Sequence, residues 1–107
     1  MINKISELAK TNKKISDFHL RGSSDISYRA LGEIVIVPDS QITDSDLKEL
    51  LKNNCSETEI KKFDVKNELD TAVMLGELRF RANFYKTLNG LAAVLRRVET
   101  KIPLMED

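Results

Sequence analysis

Between Leu78 and Tyr85 the side chains alternate strictly between apolar and polar, and this alternation constrains the fold more than any other feature of the sequence. Successive side chains of a β-strand point to opposite faces of the sheet, so the segment is predicted to be a strand with two different faces. One face carries Leu78, Phe80, Ala82 and Phe84, and the other carries Arg79, Arg81, Asn83 and Tyr85. Such a strand fits an antiparallel sheet with one face on a core and one in solvent.

The dipeptide Asn89-Gly90 predicts that this strand folds back on itself. Asn and Gly tolerate the positive φ angles of a type I′ turn, so we expect these two residues to form the loop of a hairpin. That register places Arg96 opposite Asn83 and diagonal to Arg81, with backbones roughly 7–8 Å apart on one face. Two guanidinium groups this close can converge on one anion, unless an acid from residues 33–77 lies between them.

Two further arginines belong to the same hairpin. Arg79 shares the face of Arg81 but lies farther from the turn, and Arg97 falls on the apolar face near the end of the second strand. A loop of odd length would change the pairing by one residue and put Arg81 and Arg96 on opposite faces. The predicted arginine pair therefore depends on the turn.

The rest of the chain predicts three helices and four more strands. Each of the two later helices starts with a Ser/Thr followed three residues on by an acid, which satisfies free backbone amides at a helix start. The predicted helices are the first dozen residues, 44–53 after Thr43, and a short helix capped by Ser56 that ends at about Lys66. The predicted strands are 15–20, 25–30, 34–37 ended by Pro38, and 68–74, besides the hairpin strands 78–85 and 91–98. This order predicts an α+β domain with a mostly antiparallel sheet and flanking helices.

Length and composition indicate one ordinary globular domain over residues 1–107, with neither repeat nor linker. The formal net charge is zero, but it divides into +3 over 1–32, −6 over 33–77, +5 over 78–101 and −2 over 102–107. Nucleic-acid binding is not expected, because the phenylalanines of 78–85 lie opposite the arginines and form no stacking platform beside them. The first residues lack the apolar stretch of a signal peptide, so we expect a cytoplasmic protein.

Catalytic and metal-binding motifs are missing from the sequence. There is no phosphate-binding P-loop, dinucleotide-binding, nucleophile-elbow or zinc-protease motif. His19 lies beside Asp17, which can orient an imidazole, but no nucleophile or ligand cluster accompanies it. Cys55 is the single cysteine and has neither a disulfide partner nor metal-ligand spacing. We therefore predict no catalytic residue, no metal site and no independent enzyme activity.

Six segments together resemble the amino-terminal domain of the type IV pilus retraction (twitching-motility, PilT-type) ATPases. More distantly the chain is similar to type II secretion and pilus-extension ATPases. In order and spacing the segments cover nearly the whole chain: Ser16 to Leu20, Tyr28 to Ile34, Glu68 to Asp70, Arg79 to Phe84, Ala93 to Arg96, and Ile102 to Asp107. This resemblance implies a PAS-like fold that precedes a RecA-like ATPase domain, which is absent from this chain.

The resemblance also implies a role for the arginines. In that family the amino-terminal domains belong to homohexameric motors, and each packs on the ATPase domain of its neighbour with its arginines at the phosphates of ATP. By motif match these would be Arg81 and Arg96, with Arg79 a weaker candidate. ATP with magnesium would bind only when the ATPase domain is present, and the parent motor would act at the inner membrane on a pilus platform protein.

Some positions depart from the family pattern and leave other interpretations open. The family usually has Asp before the glycine of its turn and prolines ahead of it, where this sequence has Leu31 and Ser27. Retraction, extension and secretion motors therefore stay open as the parent. The alternative is a stand-alone PAS-like ligand-binding or protein-interaction module, which predicts a closed apolar pocket. Alone, the chain is expected to be a monomer or at most a weak dimer.

Overall fold

The computed structural model describes residues 2–75, 77–88 and 90–98. The helices are α1 (Ile2–Thr11), α2 (Asp44–Asn54) and α3 (Glu57–Lys66), and the strands are β1 (Ile15–Arg21), β2 (Ser24–Ala30), β3 (Glu33–Ile42), β4 (Glu68–Leu75), β5 (Leu78–Thr87) and β6 (Gly90–Arg97). These strands form a six-stranded sheet in the order β3-β2-β1-β6-β5-β4, with every neighbouring pair antiparallel. The predicted α+β class with flanking helices is confirmed.

Both predicted capping boxes form at the starts of α2 and α3. The Asp46 amide donates to Thr43 Oγ1 at 3.1 Å, and the Thr43 amide donates to Asp46 Oδ2 at 3.0 Å. Ser56 and Glu59 make the same reciprocal pair at 3.2 and 2.9 Å. Each box satisfies amides that have no partner inside the helix, so these helix starts are set by local sequence.

The hydrophobic core lies on one face of the sheet. Phe18, Phe80 and Phe84 point to this side and are fully buried, and the rings of Phe18 and Phe80 meet edge to face at 6.0 Å between centroids. The helices contribute Ile5, Ala9, Leu47, Leu50, Leu51 and Phe63 to the same cluster. The opposite side of the sheet, called the open face below, is built by the alternate residues of each strand.

β3 does not end at Pro38, as the sequence predicted, but continues to Ile42. Ser27 pairs with Ile36 while Asp25 pairs with Gln41, so several extra residues of β3 bulge out opposite Ile26. The buried Ser40 holds this bulge, because its hydroxyl accepts the Ile26 amide at 2.9 Å and donates to the Val37 carbonyl at 2.6 Å. Proline is tolerated in a strand at such a bulge, where its missing N–H breaks no pairing bond.

The hairpin of β5 and β6 forms one residue earlier than Asn89-Gly90 predicted. Thr87 pairs with Gly90, so Gly90 belongs to β6 and not to the loop. Asn89 lies outside the described residues, as does segment 102–107 of the family resemblance. The shift changes the pairing by two residues, which preserves the face of every side chain.

Asp44, at the start of α2, explains the displaced loop. Its Oδ1 accepts the Leu91 amide at 3.1 Å. A Cβ atom on either Gly22 or Gly90 would come within 2.9 Å of the Asp44 Cγ, so both glycines give the carboxylate room to approach. The Gly22 amide in turn donates to the Leu91 carbonyl at 2.9 Å. Close packing of backbone on carboxylate therefore holds Gly90 in the strand.

Arg97 lies on the core side of β6, as predicted, and has a partner there. One terminal nitrogen donates to the carbonyl of Ala9 at 2.8 Å and to that of Asn12 at 3.3 Å, both at the end of α1. Carbonyls at a helix end have no partner inside the helix and favour a positive charge. Arg97 therefore fastens α1 to the sheet.

Candidate functional site

Arg81 and Arg96 are direct cross-strand partners on the open face. The sequence predicted a diagonal pair, and the observed register brings them closer, because directly opposite residues in antiparallel strands have Cβ atoms about 4.5–5.5 Å apart. Both residues are exposed. The predicted hairpin thus put both arginines on the correct face, although it misplaced the loop.

Asp17 of β1 holds one of these arginines from the side away from the other. Its Oδ1 accepts the Arg96 Nε at 3.2 Å, and its Oδ2 accepts the Ser16 hydroxyl at 2.9 Å. The Asp17 side chain is 14% exposed, whereas that of Arg96 is 75% exposed. Binding through Nε leaves both terminal nitrogens of Arg96 directed elsewhere, so the group is oriented and still able to bind an anion in a bidentate manner.

Arg81 makes no ion pair and no side-chain hydrogen bond within residues 2–75, 77–88 and 90–98. The alternative in which an acid from 33–77 lies between the arginines is not what the described chain shows. Asp70, the open-face carboxylate on the neighbouring strand, accepts a hydrogen bond from Asn83 at 3.0 Å. Asp17, the acid that binds Arg96, belongs to the first third of the chain and lies on the side of Arg96 away from Arg81.

A shallow depression surrounds the arginine pair. Its volume is about 370 Å³, and it is lined by Asp70, Arg81, Ala82, Asn83, Val94 and Arg96. The third predicted residue, Arg79, is exposed and pairs with Met74 on β4, two residues along β5 from Arg81. It lies on the same face but does not line the depression. The structure thus brings together two of the three predicted arginines and places the third at the margin.

A larger depression of about 460 Å³ lies elsewhere, beside α2, α3 and the hairpin end. Leu51, Ile60, Phe63 and Leu91 contribute its apolar lining, and its charged residues are Asp44, Lys48, Lys52, Asp64 and Lys86. Lys86 lies over the Phe63 ring at 5.3 Å and pairs with Asp64 at 3.4 Å. This surface groove does not match the closed apolar pocket that a stand-alone ligand-binding module predicts.

Other reactive side chains stay apart from the arginine pair. His19 is partly buried, and its Nε2 has no hydrogen-bond partner in the part of the chain that the structure describes. Asp17 accepts hydrogen bonds from Ser16 and Arg96 rather than orienting the imidazole.

Burial raises the pKa of the Cys55 thiol, with Glu59 adding to the rise and a hydrogen bond with Thr71 opposing it. Among the described residues no three His, Cys, Asp or Glu side chains are grouped to hold a metal ion.

Sequence reasoning missed Asp17 as an arginine partner. The signal was present in Ser16-Asp17, which belongs to the segment that carries the family resemblance, but Asp17 was considered beside His19 alone. The contact joins residues 79 positions apart and depends on β1 lying next to β6.

None of the helices in the described ranges is long and apolar enough to cross a membrane.

Comparisons with family models and with curated proteins each give no match. Among solved structures, the chain is similar to the pilus retraction motor PilT with bound ADP, at 27% identity and a TM-score of 0.78 over 96% of this chain and 30% of that one. It is similar to the ATPase DotB of Legionella pneumophila at 17% identity and a TM-score of 0.75, over 95% of this chain and 29% of that one. DotB of Yersinia pseudotuberculosis gives 14% identity and 0.68, over 92% and 29%.

The chain thus spans less than a third of the length of each of these proteins. At their low identities the two DotB structures show the fold alone, while the PilT structure agrees with the resemblance that the motifs carry. The resemblance read from the sequence is therefore confirmed: the chain has the fold of part of the pilus retraction motor PilT, consistent with the amino-terminal domain of a pilus or secretion ATPase.

Proposed function

We propose that this chain is the amino-terminal domain of a homohexameric type IV pilus retraction ATPase, and that Arg81 and Arg96 bind the phosphates of ATP held by a RecA-like domain. The observation that supports it most is the direct pairing of two exposed arginines on the open face, one oriented by Asp17 and the other without an ion pair to any described residue. Two like charges held this close repel each other, and an anion placed between them removes that cost.

The chemistry of the pair fits a polyphosphate. Each guanidinium offers a planar set of N–H donors that matches the oxygens of a phosphate group, and two of them side by side can contact neighbouring oxygens. Arg79 adds positive charge at the margin of the site and is a weaker participant. Magnesium would accompany ATP and would be held with the phosphates by the ATPase domain.

The domain would act by closing on a nucleotide that another domain binds. The arginines project from a sheet that is packed on a single core, so they move as one body with it. Loss of the terminal phosphate on hydrolysis removes the anion that stabilises the closed arrangement, which couples the nucleotide state to the angle between domains. The proposed partners are the RecA-like domains of the same chain and of the neighbouring subunit, and through them a pilus platform protein at the cytoplasmic side of the inner membrane.

The test compares this chain with the longer polypeptide that joins it to its ATPase domain. We expect hydrolysis from the longer protein alone, and a loss of at least tenfold in kcat/KM for Arg81→Ala combined with Arg96→Ala. This estimate follows from hydrogen bonds to charged groups, which contribute about 1.5–3 kcal/mol each. Asp17→Ala should lower the rate less than Arg96→Ala, because it frees the guanidinium without removing it.

Arg21→Ala is the matched control. Arg21 is another exposed arginine on the open face, on β1, and it lies opposite Ala92 rather than beside the arginine pair. Its loss should leave the rate within about twofold if the effect is specific to the site. Equal rates for the double variant and the Arg21→Ala control would refute the proposed arginine role. A longer polypeptide without any ATPase domain would refute the motor assignment itself.

A further inference from the structure

β3 is an edge of the sheet with an unusually apolar outer surface. It lies at one end of the strand order and, among residues 2–75, 77–88 and 90–98, pairs with β2 alone. Ile34, Val35 and Ile36 are 54%, 38% and 66% exposed, and Leu31 in the preceding turn is 76% exposed. A long apolar edge strand offers free backbone groups and carbon surface together, which favours pairing with another strand.

The other edge of the sheet is protected, and β3 is not. β4 carries the exposed charges Glu68 and Asp70, and α3 packs against it. β3 has no lysine or arginine, and its bulge and proline lie beyond Ile36. Charge, an inserted bulge or a covering helix are the usual features that keep an edge strand from pairing. Within residues 2–75, 77–88 and 90–98, the segment from Ile34 to Ile36 has none of them, and Glu33 is the one charged residue beside it.

We propose that two copies of this chain associate through antiparallel pairing of β3 with β3, about a two-fold axis at Val35. An antiparallel pair about a two-fold joins equivalent surfaces of both copies. The two-fold axis must lie where a residue faces its own copy. An axis at any other point would place a residue whose backbone N–H and C=O point towards the partner opposite one whose groups point away from it. Three centres are then available in the apolar segment, at Ile34, Val35 and Ile36.

The side chains favour the centre at Val35. There, Ile34 of each copy lies opposite Ile36 of the other, so two aliphatic pairs form on the open face. Glu33 lies opposite Val37 and no acid faces an acid. A centre at Ile36 would put Glu33 opposite Asp39, and like charges directly opposite destabilise a sheet. A centre at Ile34 would put Ile36 opposite Gly32 and leave its side chain without a partner.

This self-complementarity is the reason to assign a second copy rather than an unrelated peptide as the occupant. The apolar residues are symmetric about Val35 in both composition and face, as a two-fold interface requires and a foreign strand does not. A single pair of short strands buries less than a standard interface, so the dimer is weak. The proposal does not depend on the ATP-binding role of the arginines.

The test is sedimentation velocity of the 107-residue chain from micromolar to millimolar concentration. We expect a monomer that becomes a dimer as concentration rises, and a shift of at least tenfold in Kd for Ile36→Lys. The matched control is Met74→Lys on β4, since Met74 is 47% exposed on the opposite edge strand and should leave Kd unchanged. A circular dichroism spectrum of each variant establishes that it is folded.

Cross-linking tests the register. In a Cys55→Ser background, Val35→Cys places two thiols opposite each other at the axis and should give a disulfide-linked dimer under mild oxidation. Met74→Cys in the same background should remain monomeric. A chain that stays monomeric at millimolar concentration, a dimer that Met74→Lys weakens as much as Ile36→Lys, or association with a foreign peptide alone would each overturn the proposal.

Discussion

Replacing Gly22 with alanine tests whether the Asp44 carboxylate fixes the hairpin. A Cβ at this position would lie 2.9 Å from the Asp44 Cγ and nearer still to Oδ1, so the carboxylate has to move. Moving it leaves the Leu91 amide, in a residue that is 7% exposed, without its charged acceptor. The backbone of Gly22 is outside the left-handed region, so alanine itself causes no strain there.

The expected change in the free energy of unfolding is the difference between two opposing effects. Loss of a buried hydrogen bond to a charged group costs about 1.5–3 kcal/mol. The alanine restricts the unfolded chain, which returns about 0.4–1 kcal/mol. Gly22→Ala should therefore lower the free energy of unfolding by about 0.5–2.5 kcal/mol, or roughly 2–15 °C in Tm for a domain of this size.

A double-mutant cycle separates the proposed cause from other effects of the substitution. In an Asp44→Ala background there is no carboxylate to displace, so Gly22→Ala should raise the free energy of unfolding by about 0.4–1 kcal/mol through its effect on the unfolded chain. The assay is urea unfolding followed by far-UV circular dichroism for the four proteins of the cycle. Gly32→Ala is the control: Gly32 has φ +81° and no atom near its Cβ position, so alanine there should cost about 1–2 kcal/mol through backbone strain in both backgrounds. An equal cost of Gly22→Ala with and without Asp44 would refute the reasoning.

Three other substitutions or reactions have defined outcomes. Arg97→Met should destabilise the chain by about 1–2 kcal/mol and speed amide exchange in α1 above all, because the carbonyls at the end of α1 lose their donor; uniform exchange across the chain would contradict this. Ser40→Ala should cost about 2–3 kcal/mol in urea unfolding, since the Ile26 amide loses its buried acceptor, and a cost below about 0.5 kcal/mol would show that the bulge does not need the hydroxyl. Burial raises the pKa of the Cys55 thiol and keeps the thiolate fraction low, so iodoacetamide should alkylate native Cys55 more slowly than free cysteine at neutral pH. The rate of alkylation should increase as the pH rises through the alkaline range. Urea-unfolded protein is the control.

The position of Arg81 and Arg96 on one face could be predicted from sequence because it depends on parity, which a two-residue error preserves. The position of the loop could not, because Asn89-Gly90 signals a turn through local backbone preference alone. Gly90 is held in β6 by the approach of Asp44 from a different element. The local sequence thus predicts that a hairpin forms, and the contact with Asp44 determines its register.

The helix starts were predictable to the residue, whereas the end of β3 was not. Thr43 and Ser56 act on amides three residues away, so their effect is contained in the local sequence. Pro38 normally ends a strand, but Ser40 reaches back to Ile26 on β2 and lets the strand continue past it. The contact between Asp17 and Arg96 could not be predicted for the same reason, because the two residues are distant in sequence and come close only once the sheet has formed.

The confinement of the core to one face of the sheet has an evolutionary consequence. Even-numbered residues of β5 such as Phe80 and Phe84 determine whether the domain folds, and odd-numbered ones such as Arg81 determine what it presents to other molecules. Selection can therefore alter one set with little effect on the other, residue by residue within a single strand. A lineage could exchange its recognition surface completely and keep the same scaffold, which is consistent with a shared fold at identities as low as 14%.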